Sequence, residues 1–461
     1  MFDIRFQTLL RTAALAAPWL LAACGGGGGG EVVPPPNAAP SIVAFSADRG
    51  EYFVGDTATL TVRYSGGAGR IEPGIGPVAD GARIQTPTLD ADRAYRLVVD
   101  GPQGAVVREL RLPVRYRDRY VEVPGSLQSV GHEAIALDDG AVLLIGGSRG
   151  EGVLSHRITR FDPRLRTLDD IGRLQVGRTD HRVTRLASGD ILVTGGETSL
   201  PLPRLIELVD ARTGVSQATG ELAVKRSAHT ATRLADGRVL ITGGYASGAR
   251  GVHDSAELWD PATRRAILLP ANMVSPRAAH TATLLADGRV LIVGGYALPD
   301  ATYAAAELFD PRTETFSPVP SADASKRFLH AAQTQPDGSV LILGGEDFDH
   351  VTEVTTPRSD ITRFDPVSGR IEAVGNLLAP RSAVRLDGAH GRALLFGGLG
   401  ASDARVAGAE SFGLKDGAKP LAAMPGQRAW HTVTRLADGR ILIAGGEDGA
   451  RSFVPSVLLY E

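Results

Sequence analysis

A block reading Arg-x-x-His, an apolar run, Asp-Gly-Arg and a second apolar run ending in Gly-Gly recurs through most of this chain. The clearest copies are Arg226–Gly244, Arg277–Gly295 and Arg428–Gly446, and looser ones end at Gly147, Gly196, Gly345 and Gly398. The Gly-Gly pairs begin at 146, 195, 243, 294, 344, 397 and 445, in steps of 48 to 53 residues. A unit of that size cannot bury its apolar faces alone. It must stack against its neighbours, so the fold has to be modular.

Register inside the block predicts four strands per unit. Six copies place the second glycine 15 residues after the histidine: His132, His181, His229, His280, His330 and His431. An aromatic or apolar residue then returns 13 to 15 residues later at Phe161, Val209, Trp259, Phe309, Phe412 and Tyr460, with Phe364 delayed to 19. In the fourth unit the expected strands are His280–Leu285, Val290–Val293, Ala306–Phe309 and Thr315–Val319, turned by Asp-Gly and by Asp310-Pro311. The second strand is apolar throughout, as a strand buried on both faces must be. The paired glycines end it where a side chain would meet the neighbouring sheet. Four antiparallel strands repeated radially make an all-β, seven-bladed propeller over residues 119–461. The seventh unit stops after its third strand, Val457–Tyr460, and Tyr120–Pro124 matches the fourth strand Phe316–Pro320. Residues 119–124 are therefore expected to complete the last blade.

Within this pattern, "RAAHTATLLADGRVLIVGG" and "AELFDPRTETF" resemble kelch repeats of the bacterial, galactose-oxidase-like kind. The resemblance to that oxidase would imply a Tyr-His copper pair and a cysteine–tyrosine cross-link. Here Gly131, Asp180, Ala228, Ala279, Leu329 and Trp430 precede the histidines, and the single cysteine, Cys24, lies outside the repeats. A copper-radical oxidase is thus disfavoured and no cofactor is expected.

The segment before the repeats has its own organisation. Arg5 and Arg11 precede the apolar run Thr12–Ala23, too short to span a bilayer but suited to a signal peptide over residues 1–23. Leu21-Ala22-Ala23-Cys24 resembles the bacterial lipobox, which implies cleavage before Cys24 and its lipidation. Residues 24–40, rich in glycine and then proline, read as a tether. Gly25 after the cysteine implies outer-membrane sorting, so the expected location is the bacterial cell envelope, periplasmic or surface-exposed. Residues 41–117 carry runs at Ile42–Phe45, Thr57–Tyr64, Ala82–Thr86, Arg93–Val99 and Val106–Val114, the pattern of a small β-sandwich. "GDTATLTVRYSG" and "YRLVVDGPQGAVVRELRLPV" resemble bacterial Ig-like spacer modules.

A formal net charge of −3 gives no support for nucleic-acid binding. Strand direction puts the Arg-x-x-His entries and the segments after each Gly-Gly on one face, where a rigid scaffold would present a site. The candidates on that face are Arg178, Arg226, Arg277, Arg327, Arg381, Arg428, Tyr245, Tyr296, Glu346, Trp430 and His431. The arginines can form a cationic ring for an anionic ligand such as an acidic sugar, or they can each make equivalent bonds inside the blades, which repetition favours. A six-histidine metal site is excluded because ligands on different blades do not converge. The acidic stretch with Asp347, Asp349, His350 and Glu353 reads as a solvated loop rather than a cation site. Unit six breaks the pattern, with Ala383 or Val384 in place of histidine. Since what repeats six times reads as architecture, function is expected where the repetition fails. The expected role is a lipid-anchored binding or scaffolding module for a protein or glycan, with no catalytic residues assigned. The alternative is a carbohydrate-active enzyme of the periplasmic kelch type, such as a sugar mutarotase or epimerase.

Overall fold

The structure is a computed structural model that describes residues 38–461, apart from 128, 151, 199–203, 247–250, 297–305, 321–325, 350, 351, 353 and 390. The leader, Cys24 and most of the expected tether lie outside the described residues, as do His350 and Glu353.

The fold is all-β. From Ser41 to Arg115 two sheets share one apolar core. One has the order Ser41–Ala47, Thr59–Ser65, Arg83–Gln85, and the other Gly76–Val78, Ala68–Glu72, Arg93–Gly101, Gly104–Leu112. A short parallel pair, Tyr52–Phe53 with Val114–Arg115, adds to them. Alternate residues such as Leu60 and Val62, or Leu97 and Val99, turn inward and meet Tyr52, Ile71 and Tyr95. Ala68–Glu72 and Gly76–Val78 are strands that the hydrophobic alternation does not single out.

Among the described residues, seven four-stranded antiparallel sheets follow from Tyr120 to Tyr460. In the first, Glu133–Ala136, Val142–Ile145, Arg157–Asp162 and Thr167–Arg173 lie in chain order. The fourth contains Thr281–Leu284, Val290–Val293, Glu307–Asp310 and Thr315–Pro318. In the fifth, a hairpin of Glu346–Asp349 with Val354–Pro357 stands between the second and third strands. The seventh sheet has the order Tyr120–Val123, Val457–Tyr460, Ile441–Ala444, Thr432–Arg435, so its outer strand comes from the N-terminal side of the repeats. Arg119 Nη2 meets Glu461 at 2.5 Å beside that pairing.

Each first strand runs beside the next, and Glu133–Ala136 also runs beside Thr432–Arg435. Successive residues of the buried second strands serve different neighbours, which explains their continuous apolar character. Leu143 and Ile145 pack on Ile191 and Val193 of the second sheet, whereas Val142 and Leu144 pack on Leu442 and Ala444 of the seventh. Every pair of adjacent sheets shares such a core. This multi-sheet arrangement is compatible with a β-propeller. The paired glycines permit the close approach: a Cβ on Gly195, at φ 58°, would stand 2.3 Å from the carbonyl of Arg226 in the next sheet.

Candidate functional site

The six repeated arginines are buried within the ring. Arg178, Arg226, Arg277, Arg327 and Arg428 have no exposed surface, and Arg381 has 4%. In each, Nη1 donates to the carbonyl of the first glycine of its own unit, as from Arg178 to Gly195 at 2.9 Å and from Arg226 to Gly243 at 2.7 Å. A carboxylate from the third strand completes the site. Glu257 pairs with Arg226 and Glu410 with Arg381, both at 2.8 Å, while Glu207, Glu307 and Asp360 pair with Arg178, Arg277 and Arg327. The carboxylates also hold the entering chain, Glu257 accepting from the Ala223 amide at 2.7 Å. In the seventh sheet Leu458 occupies the carboxylate position, and Arg428 takes the Ser456 hydroxyl at 2.9 Å. Burial then pushes the Arg428 guanidinium down to about 10. These side chains bond within the protein and offer no charge to a ligand on the outer face.

Four of the six histidines reach a hydroxyl of the preceding sheet, and His181 and His431 make no such contact among the described residues. His132 Nε2 meets Thr432 Oγ1 at 2.9 Å, His229 meets Thr194 at 2.9 Å, and His330 meets Thr281 at 2.8 Å. His280 reaches both Thr230 and Thr242, at 3.1 and 3.0 Å. Burial lowers their pKa values, to about 4 for His132 and about 3 for His330, so the rings stay neutral. Unit six has no histidine at this position. The corresponding positions of the fifth sheet are Ala331 and Leu343, which carry no hydroxyl. A histidine there would lack this contact, as His181 and His431 do, and Val384 packs into an apolar cluster with Leu341 and Leu343. His431, one of the candidate ligand residues, is likewise fully buried between sheets.

The residues before these positions do face a shared space. Gly131, Asp180, Ala228, Ala279, Leu329, Ala383 and Trp430 all have φ between 47° and 66°. Left-handed backbone at a non-glycine residue costs on the order of 1–3 kcal/mol. Hydrogen bonds between units hold it: the Ala279 amide donates to Ala228 O at 3.0 Å, Ala383 to Leu329 O at 2.9 Å, and Ala228 to Asp180 O at 3.0 Å. This circle bounds a central cavity of about 420 Å³ lined by the first strands of all seven sheets.

The residue after each histidine decides the polarity of that cavity. Thr230, Thr281 and Thr432 are neutral, but Glu133, Arg182 and Arg385 are charged. Arg182 donates to Glu133 at 2.6 Å. Arg385 is held through Nε by the His431 carbonyl at 3.1 Å, and among the described residues no carboxylate lies within ion-pair distance of it. Burial lowers the Arg385 pKa, and Glu133 partly offsets the effect. Asp180 stands at the rim, accessible to solvent yet enclosed by protein. That enclosure raises its pKa; Arg182 opposes the rise and Glu197 adds to it. Trp430 is half-buried against Ala383, Leu399 and Ala429. The charged positions belong to the sixth, first and second sheets, and Trp430 belongs to the seventh, so they form one continuous arc.

The other candidates do not line that cavity. Tyr245 is half-buried near Tyr296, Asp180 and Glu197, and burial raises its phenol to about 12. The Tyr296 ring packs 5.3 Å from Phe328 and 5.8 Å from Phe348. Glu346 is 6% exposed and accepts from the Ser382 hydroxyl; burial raises its pKa. In the acidic hairpin of the fifth unit, Asp347 faces Arg358 at 3.6 Å. Sequence reasoning did not single out Glu133, Arg182 or Arg385, and it named Asp180 only as a non-tyrosine. Their signal is present: they are the charged members of an otherwise small or hydroxylated position next to the repeated histidine. No protein-family model matches this chain, and no curated protein matches its sequence.

Proposed function

We propose that the chain is a lipid-anchored, extracytoplasmic binding module of the bacterial envelope. In this reading Cys24 carries the lipid, residues 24–40 form a tether, and residues 41–117 form an Ig-like spacer. Residues 119–461 form a seven-bladed kelch-type propeller whose central cavity binds a polar anionic ligand, the acidic sugar terminus of a glycan. One observation carries the binding proposal: at seven equivalent positions around one cavity, the sheets that depart from threonine or alanine place Arg385, Arg182 and Glu133 together, beside Trp430 and Asp180. Repeated structure requires none of these charges. Arg385, without an ion-pair partner among the described residues, suits a carboxylate, and the indole of Trp430 suits the apolar face of a sugar ring. A volume of about 420 Å³ admits a monosaccharide with its bound water.

Titration calorimetry with acidic and neutral monosaccharides tests the reading. Saturable binding of an acidic sugar, weakened about tenfold or more by Arg385→Gln, is the expected result. Absence of binding to any acidic sugar, with capture of an envelope protein unaffected by Arg385→Gln, would replace it with a protein-scaffolding role. A second reading, a sugar mutarotase or epimerase, is favoured by the convergence of Asp180 and Glu133 on the same cavity. An Asp carboxyl with a raised pKa is suited to proton transfer. Proton NMR of anomer exchange separates the two: turnover lost in Asp180→Asn with binding retained would make the protein an enzyme.

A further inference from the structure

The first sheet lacks the buried ion pair that the other sheets repeat in whole or part. Seventeen residues before the first glycine, where Arg178, Arg226, Arg277 and Arg428 stand in their units, the first unit has Ser129. Across from the residue two before the first glycine, where Glu207, Glu257, Glu307 and Glu410 stand in their units, it has Thr159. Neither small side chain fills the space. A cavity of about 430 Å³ opens there, separate from the central one, with Ser129, Ser155, Thr159 and the Gly146 carbonyl at its floor. Ser129, Ser155 and Thr159 are buried, whereas Asp169 and Asp170 at the outer end are exposed.

The remaining sheets show what this space accommodates. In six of them a guanidinium lies in it and donates to the glycine carbonyl, at 2.7 Å from Arg277 to Gly294 and 3.0 Å from Arg327 to Gly344. In the first sheet the equivalent Gly146 carbonyl accepts, among the described residues, from the Ser129 hydroxyl at 3.0 Å. The Thr159 hydroxyl donates to Asp170 at 2.7 Å, which brings a carboxylate to the edge of the vacated volume. Arg157 is already paired with Asp170 at 2.8 Å, and with Arg149 it balances Asp169 and Asp170 in charge. Selection would therefore come from the acceptors inside rather than from net charge at the opening.

We propose that this cavity is a binding site for a guanidinium group, supplied as an arginine side chain. The ligand enters past Asp170 and donates to the Gly146 carbonyl, with the Ser129 hydroxyl turning to accept. The site stands independently of the central cavity, so Arg385→Gln leaves it intact.

L-argininamide and its neutral isostere L-citrullinamide, titrated by calorimetry against the whole protein, provide the test. Saturable binding of argininamide, at least about tenfold tighter than citrullinamide, is expected. Thr159→Glu supplies the carboxylate that other sheets possess and should tighten binding about tenfold. Ser129→Arg should abolish binding by filling the cavity with its own guanidinium. If that variant folds poorly, Ser129→Arg/Thr159→Glu restores the complete pair and should abolish binding with an unchanged or raised melting temperature. A Gly-Gly-Arg-Gly-Gly peptide distinguishes the source: binding comparable to argininamide points to an arginine within a partner chain, and selective binding of argininamide points to a free metabolite. No saturation in the millimolar range, or equal binding to the filled variant, overturns the proposal.

Discussion

Arg226 and Glu257 illustrate what a repeated charged residue contributes at the scale of one side chain. Both have no exposed surface, and each satisfies several neighbours at once. Leaving either charge without its partner in a buried site costs about 3–5 kcal/mol, whereas replacing both with apolar groups of similar volume is closer to neutral. Glu257→Ala should therefore lower stability in urea by about that amount, and Arg226→Met/Glu257→Leu by much less. The exposed pair Arg111–Glu109 provides the contrast: Glu109→Gln should change stability by less than about 1 kcal/mol.

The histidines make a pH-dependent contribution whose sign follows from burial. Their folded pKa values lie below the unfolded value near 6.5, so between those values the unfolded chain binds protons that the folded one excludes. Stability is full above about pH 6.5 and falls as pH drops, by up to about 1.4 kcal/mol per pH unit for each such group. For His132 the loss ends near pH 4, and for His330 near pH 3. Urea midpoints measured from pH 7 to pH 4 should decline, and His330→Gln should decline less steeply than the parent protein.

At the scale of the element, packing between sheets bears on the residue at each position. Val384 packs in an apolar cluster with Leu341 and Leu343 of the fifth sheet, so Val384→His would bury a polar ring with no hydroxyl in reach, as at His181 and His431, at a cost of about 1–3 kcal/mol. Adding Ala331→Thr should recover part of that loss, and a double-mutant cycle measures the coupling directly. Additive effects would show that the histidine–threonine contact does not govern this position. The same logic explains the glycine pairs: they end each buried strand against the next sheet's backbone, which allows the first strands to run side by side.

For the whole molecule, stability depends on the seam between Tyr120–Val123 and Val457–Tyr460. The registers Tyr120↔Tyr460 and Val121↔Leu459 join the two ends of the repeat array, and the Tyr120, Phe396 and Tyr460 rings pack within 5.2 to 6.5 Å of one another. Deleting residues 119–124 exposes this edge and the core beneath it. The expected result is loss of the single cooperative thermal transition; a deletion variant that melts like the parent would remove the seam from the account of stability.

The repeat period, the four-strand unit and the match of Tyr120–Pro124 to a fourth strand were legible in the sequence because they rest on local patterns: alternation, turn residues and constant spacing. The chemistry was legible only in part. Arg-x-x-His suggested a charged face, but the partner of Arg226 lies 31 residues away and that of His280 lies 50 residues away in another sheet. Whether such a side chain lines a cavity or fills the interior depends on contacts that no local pattern encodes. Tertiary structure alone decided that the repeated charges are internal, that Arg385 and Arg182 meet across a central cavity, and that the first sheet has a hole where the others have an arginine. The physical reason is the same throughout: strand periodicity is a property of neighbours in sequence, whereas burial and ion pairing belong to neighbours in space.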